Sequence, residues 1–459
     1  MLSRRLPLIA VLIVSLACSF LTRSLAGAPT PAPTASNTPT ITATALAAAY
    51  IPPGCESHEL ATQPAATELA VPTPAIRANA PIDPQVQMRV FEKTVQAVSD
   101  NYVYPDFNGK DWNAIVTETR TRVQGGLSTE DFCAAMQSLI DALGDDHSRF
   151  ESPVDVAQEQ ADLTDTSHYV GIGVEVEAVV DKQILVVTGV FPDSPAEHSG
   201  IQVHDSLISV DGLPLVQGGQ VYSYRVRGPE CSAAQLIVRS PGQPDRTLLV
   251  VRHRISGDIP VGARLLPTSD GSKVGYIVLP SFFDQKIPEE VVAALLQFGK
   301  LDGLIIDNRT NPGGSSDILE KVLSHFTSGD LGTYKSRTSA RSFIIQADPI
   351  ANSQTVPLVV LVGLDTASFG EISSGVLQDS GRAKIVGETT LGNVEVLHAH
   401  DFEDGSRMWL AEERFDPAHS HANWEATGIV PDVQAFADWD TFTFDTDPAI
   451  RAALMLLGH

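Results

Sequence analysis

The chain has 459 residues, too many for one ordinary domain, so two or three are expected. Hydrophobic residues make up 43% of it, which excludes a wholly disordered protein. A net charge of −25 argues against nucleic acid or an anionic membrane surface as the main partner, and for a soluble, self-repelling protein.

Arg4 and Arg5 precede an apolar run from Leu6 to Leu21, and Ser24-Leu25-Ala26 offers a small-x-small cleavage site. Residues 1–26 therefore read as a secretory signal peptide. An uncleaved anchor and a lipoprotein site at Leu16-Ala17-Cys18 are the alternatives, and all three export the chain to the cell envelope or beyond. Residues 27–84 are rich in Pro, Thr and Ala without apolar periodicity. They read as an extended linker that holds the folded part away from a membrane or cell wall. The four cysteines are Cys18, Cys55, Cys133 and Cys231, none at metal-ligand spacing. With Cys18 lost alongside the signal, at most one disulfide can form within the chain, and its pairing stays open. Cys133 reads as a buried apolar residue on a helix.

Residues 85–160 read as a helical unit. Val86, Val90, Phe91, Val95 and Val98 recur at helical spacing. Ser128 opens a later helix with Phe132, Met136, Leu139, Ile140 and Leu143 on one face, and Gly144 closes it. The polar turn Asp145-Asp146-His147-Ser148 follows. Residues 161–256 read as short strands with tight turns, a small mixed β domain. In residues 257–459 strands and helices alternate: Val274–Leu279, Pro288–Phe298, Gly303–Asp307, Ser316–Phe326, Val356–Val362, a helix to Gln378, and Ala383–Val386. This predicts an α/β fold with ligands at the carboxyl ends of the strands. Two loops, Asn311–Gly314 and Asp365–Gly370, then face one side. Ser368, between a buried strand and a helix, is placed as a nucleophile would be, in the field of the helix's free N–H groups. The alternative is that Ser368 or Thr366 is the helix N-cap.

Several stretches carry a family resemblance. LIIDNRTNPGGSSDILEKV and TASFGEISSGVLQDSGRAKIVGETTLG resemble the catalytic segments of the carboxyl-terminal processing (tail-specific) proteases, peptidase family S41. YVGIGVEVEAVVDKQILVVTGVFPDSPAEHSGIQVHDSLISVDG resembles a PDZ domain of the kind these proteases carry. The resemblance spans roughly residues 85–435 and includes Thr427-Gly428-Ile429-Val430-Pro431-Asp432. It implies that Ser368 is the nucleophile and that Phe369, with Gly313 or Gly314, supplies oxyanion-hole N–H groups. Glycine suits that position because no Cβ blocks the approach of the reacting carbonyl.

One departure changes the expected chemistry. Tail-specific members use a lysine as general base in a Gly-Lys-Gly segment after the serine, whereas this chain has Asn393 there. An amide has no useful basicity. The tricorn-type relatives use a histidine and a glutamate instead. His147, and Glu425 just before Gly428-Ile429-Val430-Pro431-Asp432, have similar settings. Asp146 stands where those members carry a serine, and it offers itself as another group to orient His147. In the PDZ-like region Gly171, Ile172, Gly173 and Val174 resemble the loop that grips a peptide's terminal carboxylate. His204 replaces a glycine there and is expected on the surface. His398, His400, His419 and His421 are expected as surface histidines, not metal ligands.

The expectation is thus an exported serine endopeptidase that takes polypeptides by their C-terminal tails. Ser368, His147 and Glu425 would be its catalytic residues, with no cofactor and no metal implied. The alternative is a catalytically inactive S41-like peptide- or ligand-binding protein that has lost the lysine.

Overall fold

A computed structural model describes residues 49–56, 80–145, 147–165, 169–255 and 257–459. The signal peptide, most of the linker, Cys18 and Asp146 lie outside the described residues. Two compact units are present. Of the described residues, one unit comprises 80–161, Pro260–Phe436 and Asp447–His459, and the other Asp162–Ile259, Ala437–Thr446 and 49–56.

The first unit is built on a sheet ordered Gly262–Leu266, Val274–Val278, Gly303–Asp307, Leu358–Val362, Lys384–Gly387 and Val433–Gln434. Its first pair is antiparallel and the rest are parallel. The central strands GLIID and LVVLV are buried at every position. Such unbroken apolar runs are what a parallel sheet covered on both faces requires. Helices Ile287–Phe298, Ser316–Ser324 and Phe369–Asp379 cross over between strands, and their apolar residues join one core with the sheet. The α/β class expected from the alternation is the class observed.

A second sheet was not legible in the sequence. Gly329–Lys335, Ala340–Ile345, Val396–Asp401 and Arg407–Pro417 form antiparallel pairs, and Arg149–Glu151 adds to Arg407–Pro417. Val396–Asp401 carries His398, His400 and Asp401 on a largely exposed strand, so its apolar alternation is weak. This sheet gives the N-terminal helices their partner. Helices Pro84–Asn101, Trp112–Val123 and Thr129–Asp141 bury Val90, Phe91, Phe132, Met136 and Leu139 in a core shared with Met408, Leu410 and Ala411. The helix starts are as read. Ser128 Oγ accepts the Asp131 N–H at 3.1 Å, and Gly144 follows the last helix at positive φ.

The second unit is a small β domain. Its sheet runs Arg246–Val251, Ala233–Arg239, Ser206–Val210, Ile184–Val190 and Val174–Val179, the last at the edge. Its core holds Ile172, Leu185, Val187, Leu207, Leu236 and Val250. His204 departs from expectation. It is buried rather than on the surface, because residues 437–446 return to cover it. Its ring packs on Trp439 and Phe442, and Nδ1 lies 3.0 Å from the Trp439 carbonyl oxygen.

The open cysteine pairing resolves as Cys55–Cys231, which ties residues ahead of the linker's end to this unit, while Cys133 is free. The bridge spans a sequence separation of 176 residues. Closing a long loop limits the unfolded chain's freedom, so reduction should destabilise this unit by about 2–4 kcal/mol. A lower midpoint of its thermal transition in the presence of a thiol reductant would show this. An unchanged midpoint would mean the bridge adds nothing.

Candidate active site

Ser368 lies at the carboxyl end of the Leu358–Val362 strand, immediately before helix Phe369–Asp379. Its backbone is at φ 52, ψ −123, a conformation L-residues rarely hold. It occupies the N-cap position, yet its side chain makes no capping bond. Thr366 does not cap the helix either. Its Oγ1 accepts the Gly363 N–H at 3.0 Å and donates to the Asn308 carbonyl at 2.8 Å, joining the two loops. The carboxylate of Glu371, in the helix's first turn, lies near the Ser368 N–H, which with the Gly392 and Asn393 N–H groups offsets part of the rise that burial gives its pKa. Among the described residues the Ser368 hydroxyl caps nothing.

The Asn308–Gly314 loop is fixed against this turn. Asn308 Nδ2 donates to the Gly370 carbonyl and to Ser374 Oγ, both at 2.8 Å, and Ala367 N–H donates to the Asn311 carbonyl at 3.0 Å. Gly313 sits so close that a Cβ there would lie 2.8 Å from Ser368 Cβ and 2.9 Å from the Phe369 nitrogen. The Gly313 N–H is already taken by Asn311 Oδ1 at 2.9 Å. Its carbonyl accepts the Phe282 N–H at 2.6 Å, which turns the Gly314 N–H of the same trans peptide to the opposite side. Under the loop, buried Arg309 pairs with Asp307 at 2.6 Å and Asp447 at 2.8 Å, bracing the strand end.

His147 is held in a second layer. Asp145 Oδ1 accepts its N–H at 3.1 Å, and Asp145 Oδ2 accepts the Tyr102 hydroxyl at 2.7 Å. Ser148 Oγ accepts the Ala411 N–H at 3.0 Å, locking the turn to the Arg407–Pro417 strand. The imidazole is buried, with Nδ1 3.4 Å from Glu395 Oε2 and 3.6 Å from Glu425 Oε1. Burial, the largest influence, pulls its pKa down, but Glu395 and Glu425 together outweigh it and the net shift is upward. Burial raises Glu425 to about 7 against the pull of His147.

Glu395 is absent from the sequence reading. The only signal was a lone acid between Val394 and Val396, one position past the segment where a lysine was sought. Tyr104 was missed too. Burial and the Glu395 carboxylate push its phenol well up.

The segment around Asn393 links the two halves. Glu371 accepts the N–H groups of Gly392 at 2.9 Å and Asn393 at 2.6 Å, and Glu425 Oε2 accepts the Val394 N–H at 2.9 Å. A chain of contacts therefore runs from His147 through Glu425 and this segment to Glu371 and the Ser368 turn. Asn393 takes part through its backbone.

The peptide-binding candidates lie in the other unit. Gly171 ends the Tyr169–Gly171 strand, Ile172 is buried with its carbonyl accepting the Ala196 N–H at 2.8 Å, and Val174 begins the edge strand. Gly173, at φ +86, abuts Ser194 so tightly that a Cβ would lie 2.3 Å from Ser194 Cβ. His400 pairs with Glu412 at 2.6 Å, and His398, His419 and His421 are exposed.

Comparison with known proteins places the chain in a family. Residues 273–435 match the model of peptidase family S41 and residues 160–219 that of the PDZ domain. The chain is 31% identical over 371 residues to the carboxyl-terminal-processing protease of Picosynechococcus sp., covering 78% of this chain and 86% of that one. The Synechocystis sp. carboxyl-terminal-processing protease is 27% identical over 381 residues, covering 81% and 87%. Among solved structures, the photosystem II D1 C-terminal processing protease superposes with a TM-score of 0.54 at 27% identity, over 80% of this chain and 97% of that one. The chain therefore belongs to the carboxyl-terminal-processing proteases of peptidase family S41, serine-type peptidases, and carries a PDZ domain.

Proposed function

We propose that this chain is an exported serine endopeptidase that captures polypeptides by their C-terminal tails and cleaves them with Ser368 as nucleophile and His147 as general base. The observation that carries the reading is Ser368 itself: a strained backbone, a hydroxyl that caps nothing and Gly313 packed against it. His147 would take the Ser368 proton at Nε2, its Nδ1 being turned to Glu395 and Glu425. A carboxylate on that side fixes the tautomer and stabilises the imidazolium formed during attack. Glu425 fits that role, and Glu395 shares it. The oxyanion would rest on the N–H groups of Phe369 and Gly314. Gly314 is favoured over Gly313 because Asn311 already accepts the Gly313 N–H.

Export is supported by the signal-like N-terminus and by the Cys55–Cys231 bridge, since disulfides persist in oxidising compartments. Capture of the tail is assigned to the Gly171–Val174 loop and the Val174–Val179 edge strand, to which a peptide can add as a further strand. An unstructured substrate with its terminal carboxylate converted to an amide should then show a KM raised about tenfold, the equivalent of about 1.4 kcal/mol, with little change in kcat. Equal KM values for acid and amide would remove the carboxylate from the recognition scheme.

A further inference from the structure

His147, Glu395 and Glu425 have the composition and spacing of a metal site. One ligand atom from each lies within 4.8 Å of the others. The distances from His147 Nδ1, 3.4 Å to Glu395 Oε2 and 3.6 Å to Glu425 Oε1, are long for an N–H···O bond. Such bonds cluster at about 2.7–3.2 Å. The same distances suit ligands that share an ion. With bonds of about 2.0–2.1 Å to zinc, two tetrahedral ligands stand about 3.3–3.4 Å apart.

The second observation is the state of the polar atoms. His147 is 7% exposed and Glu395 4%, yet neither Nδ1 nor either Glu395 oxygen makes a well-formed hydrogen bond among the described residues: Glu395 is approached only loosely, by His147 Nδ1 at 3.4 Å and by the Tyr104 hydroxyl. Buried polar atoms are nearly always well partnered, and a carboxylate whose donors stand at long range is costly in a protein interior. A cation satisfies both groups at once. Glu425, with its side chain 19% exposed, leaves a path from solvent to the site.

We propose that His147, Glu395 and Glu425 form a three-ligand site for a divalent transition-metal ion of the zinc type, and that its occupancy switches off the peptidase. One imidazole with two carboxylates suits zinc or cobalt better than calcium or magnesium, which favour all-oxygen sites. The inhibitory half rests on the reading of His147 as general base. A neutral imidazole has one free in-plane lone pair. A metal that takes the pair on Nδ1 leaves the ring proton on Nε2, and that nitrogen then donates and cannot accept the Ser368 proton. Withdrawing the ion restores the Nδ1–H tautomer. Because Nδ1 and both carboxylates must be deprotonated to bind, affinity should weaken as pH falls.

Binding is tested without turnover, on full-length Ser368→Ala protein titrated with Co²⁺ and followed by visible absorption. The expected result is one ion per chain with the spectrum of a four- or five-coordinate site, displaced by Zn²⁺. In this background Glu395→Gln and His147→Gln should each bind at least about 100-fold more weakly, since loss of even an outer partner costs about 10–100-fold. His400→Gln should bind as its parent does. Absence of binding, or binding lost in His400→Gln but retained in Glu395→Gln, overturns the site. For the switch, wild-type hydrolysis should fall on Zn²⁺ addition and return with chelator. Full activity at saturating occupancy overturns inhibition. A wild-type enzyme inactive even with chelator would sink the peptidase reading instead, while the Co²⁺ titration still decides the site.

Discussion

Ser368→Ala should abolish hydrolysis of an unstructured polypeptide, lowering kcat by about 10⁴-fold or more while leaving substrate binding near wild type. The size of the effect follows from what the hydroxyl does and does not contribute. It caps no helix, so its removal costs no hydrogen bond and little stability. The strained backbone at φ 52 is held by Glu371 and by the packing of Gly313, neither of which the substitution touches. Any residual rate would come from the oxyanion-hole N–H groups and from binding alone. Rapid quench assays of the variant beside wild type measure the loss. A fluorophosphonate probe gives an independent reading, with covalent labelling of wild type at Ser368 and none of the variant. Full turnover by Ser368→Ala would end the proposed mechanism. A wild-type protein that neither labels nor cleaves would favour the peptide-binding alternative.

His147→Ala should be nearly as damaging, because a serine nucleophile and its base act as a unit and the loss of either costs about as much as the loss of both. Asn393→Ala keeps the backbone N–H that Glu371 accepts, and should leave kcat/KM close to wild type. The pair of variants separates a histidine base from any role for the position where a lysine was sought. The pH profile adds a second readout. As the proposed general base His147 would act only when neutral, so activity should be present above its pKa and lost as pH falls through it. Its pKa is raised from the ordinary 6.5, so the acid limb of kcat/KM should lie above that value. Glu395→Gln removes one of the carboxylates that raise it, and the limb should move to lower pH. Glu425, itself pushed up to about 7, titrates together with His147, so the limb reports the pair. With chelator present throughout, a limb unmoved by Glu395→Gln would exclude Glu395 as a group that tunes the base.

The division between sequence and structure follows the range of the interactions. The buried strands GLIID and LVVLV, the caps at Ser128 and Gly144 and the alternation of the core were legible, because each rests on local periodicity or on a residue's own backbone preference. The serine turn and the double glycine were legible for the same reason. The sheet built on Arg407–Pro417 was not, since its strands pair across distant stretches and carry charged residues on their exposed faces. His204 was misplaced because residues 437–446, far along the chain, decide its burial. The Cys55–Cys231 pairing was beyond sequence reach, since counting cysteines bounds the number of bridges and not their partners.

The amino-acid sequence by itself determined the α/β class, the serine at the head of a helix, and an asparagine at residue 393 where tail-specific members carry a lysine, all of them properties of residue type and near neighbours. Only the tertiary structure decided what surrounds His147. Glu395 and Glu425 come from different segments, 30 residues apart, and meet at His147 because the second sheet carries the N-terminal turn onto the core. Proximity of that kind is set by packing, which no local pattern in the chain encodes.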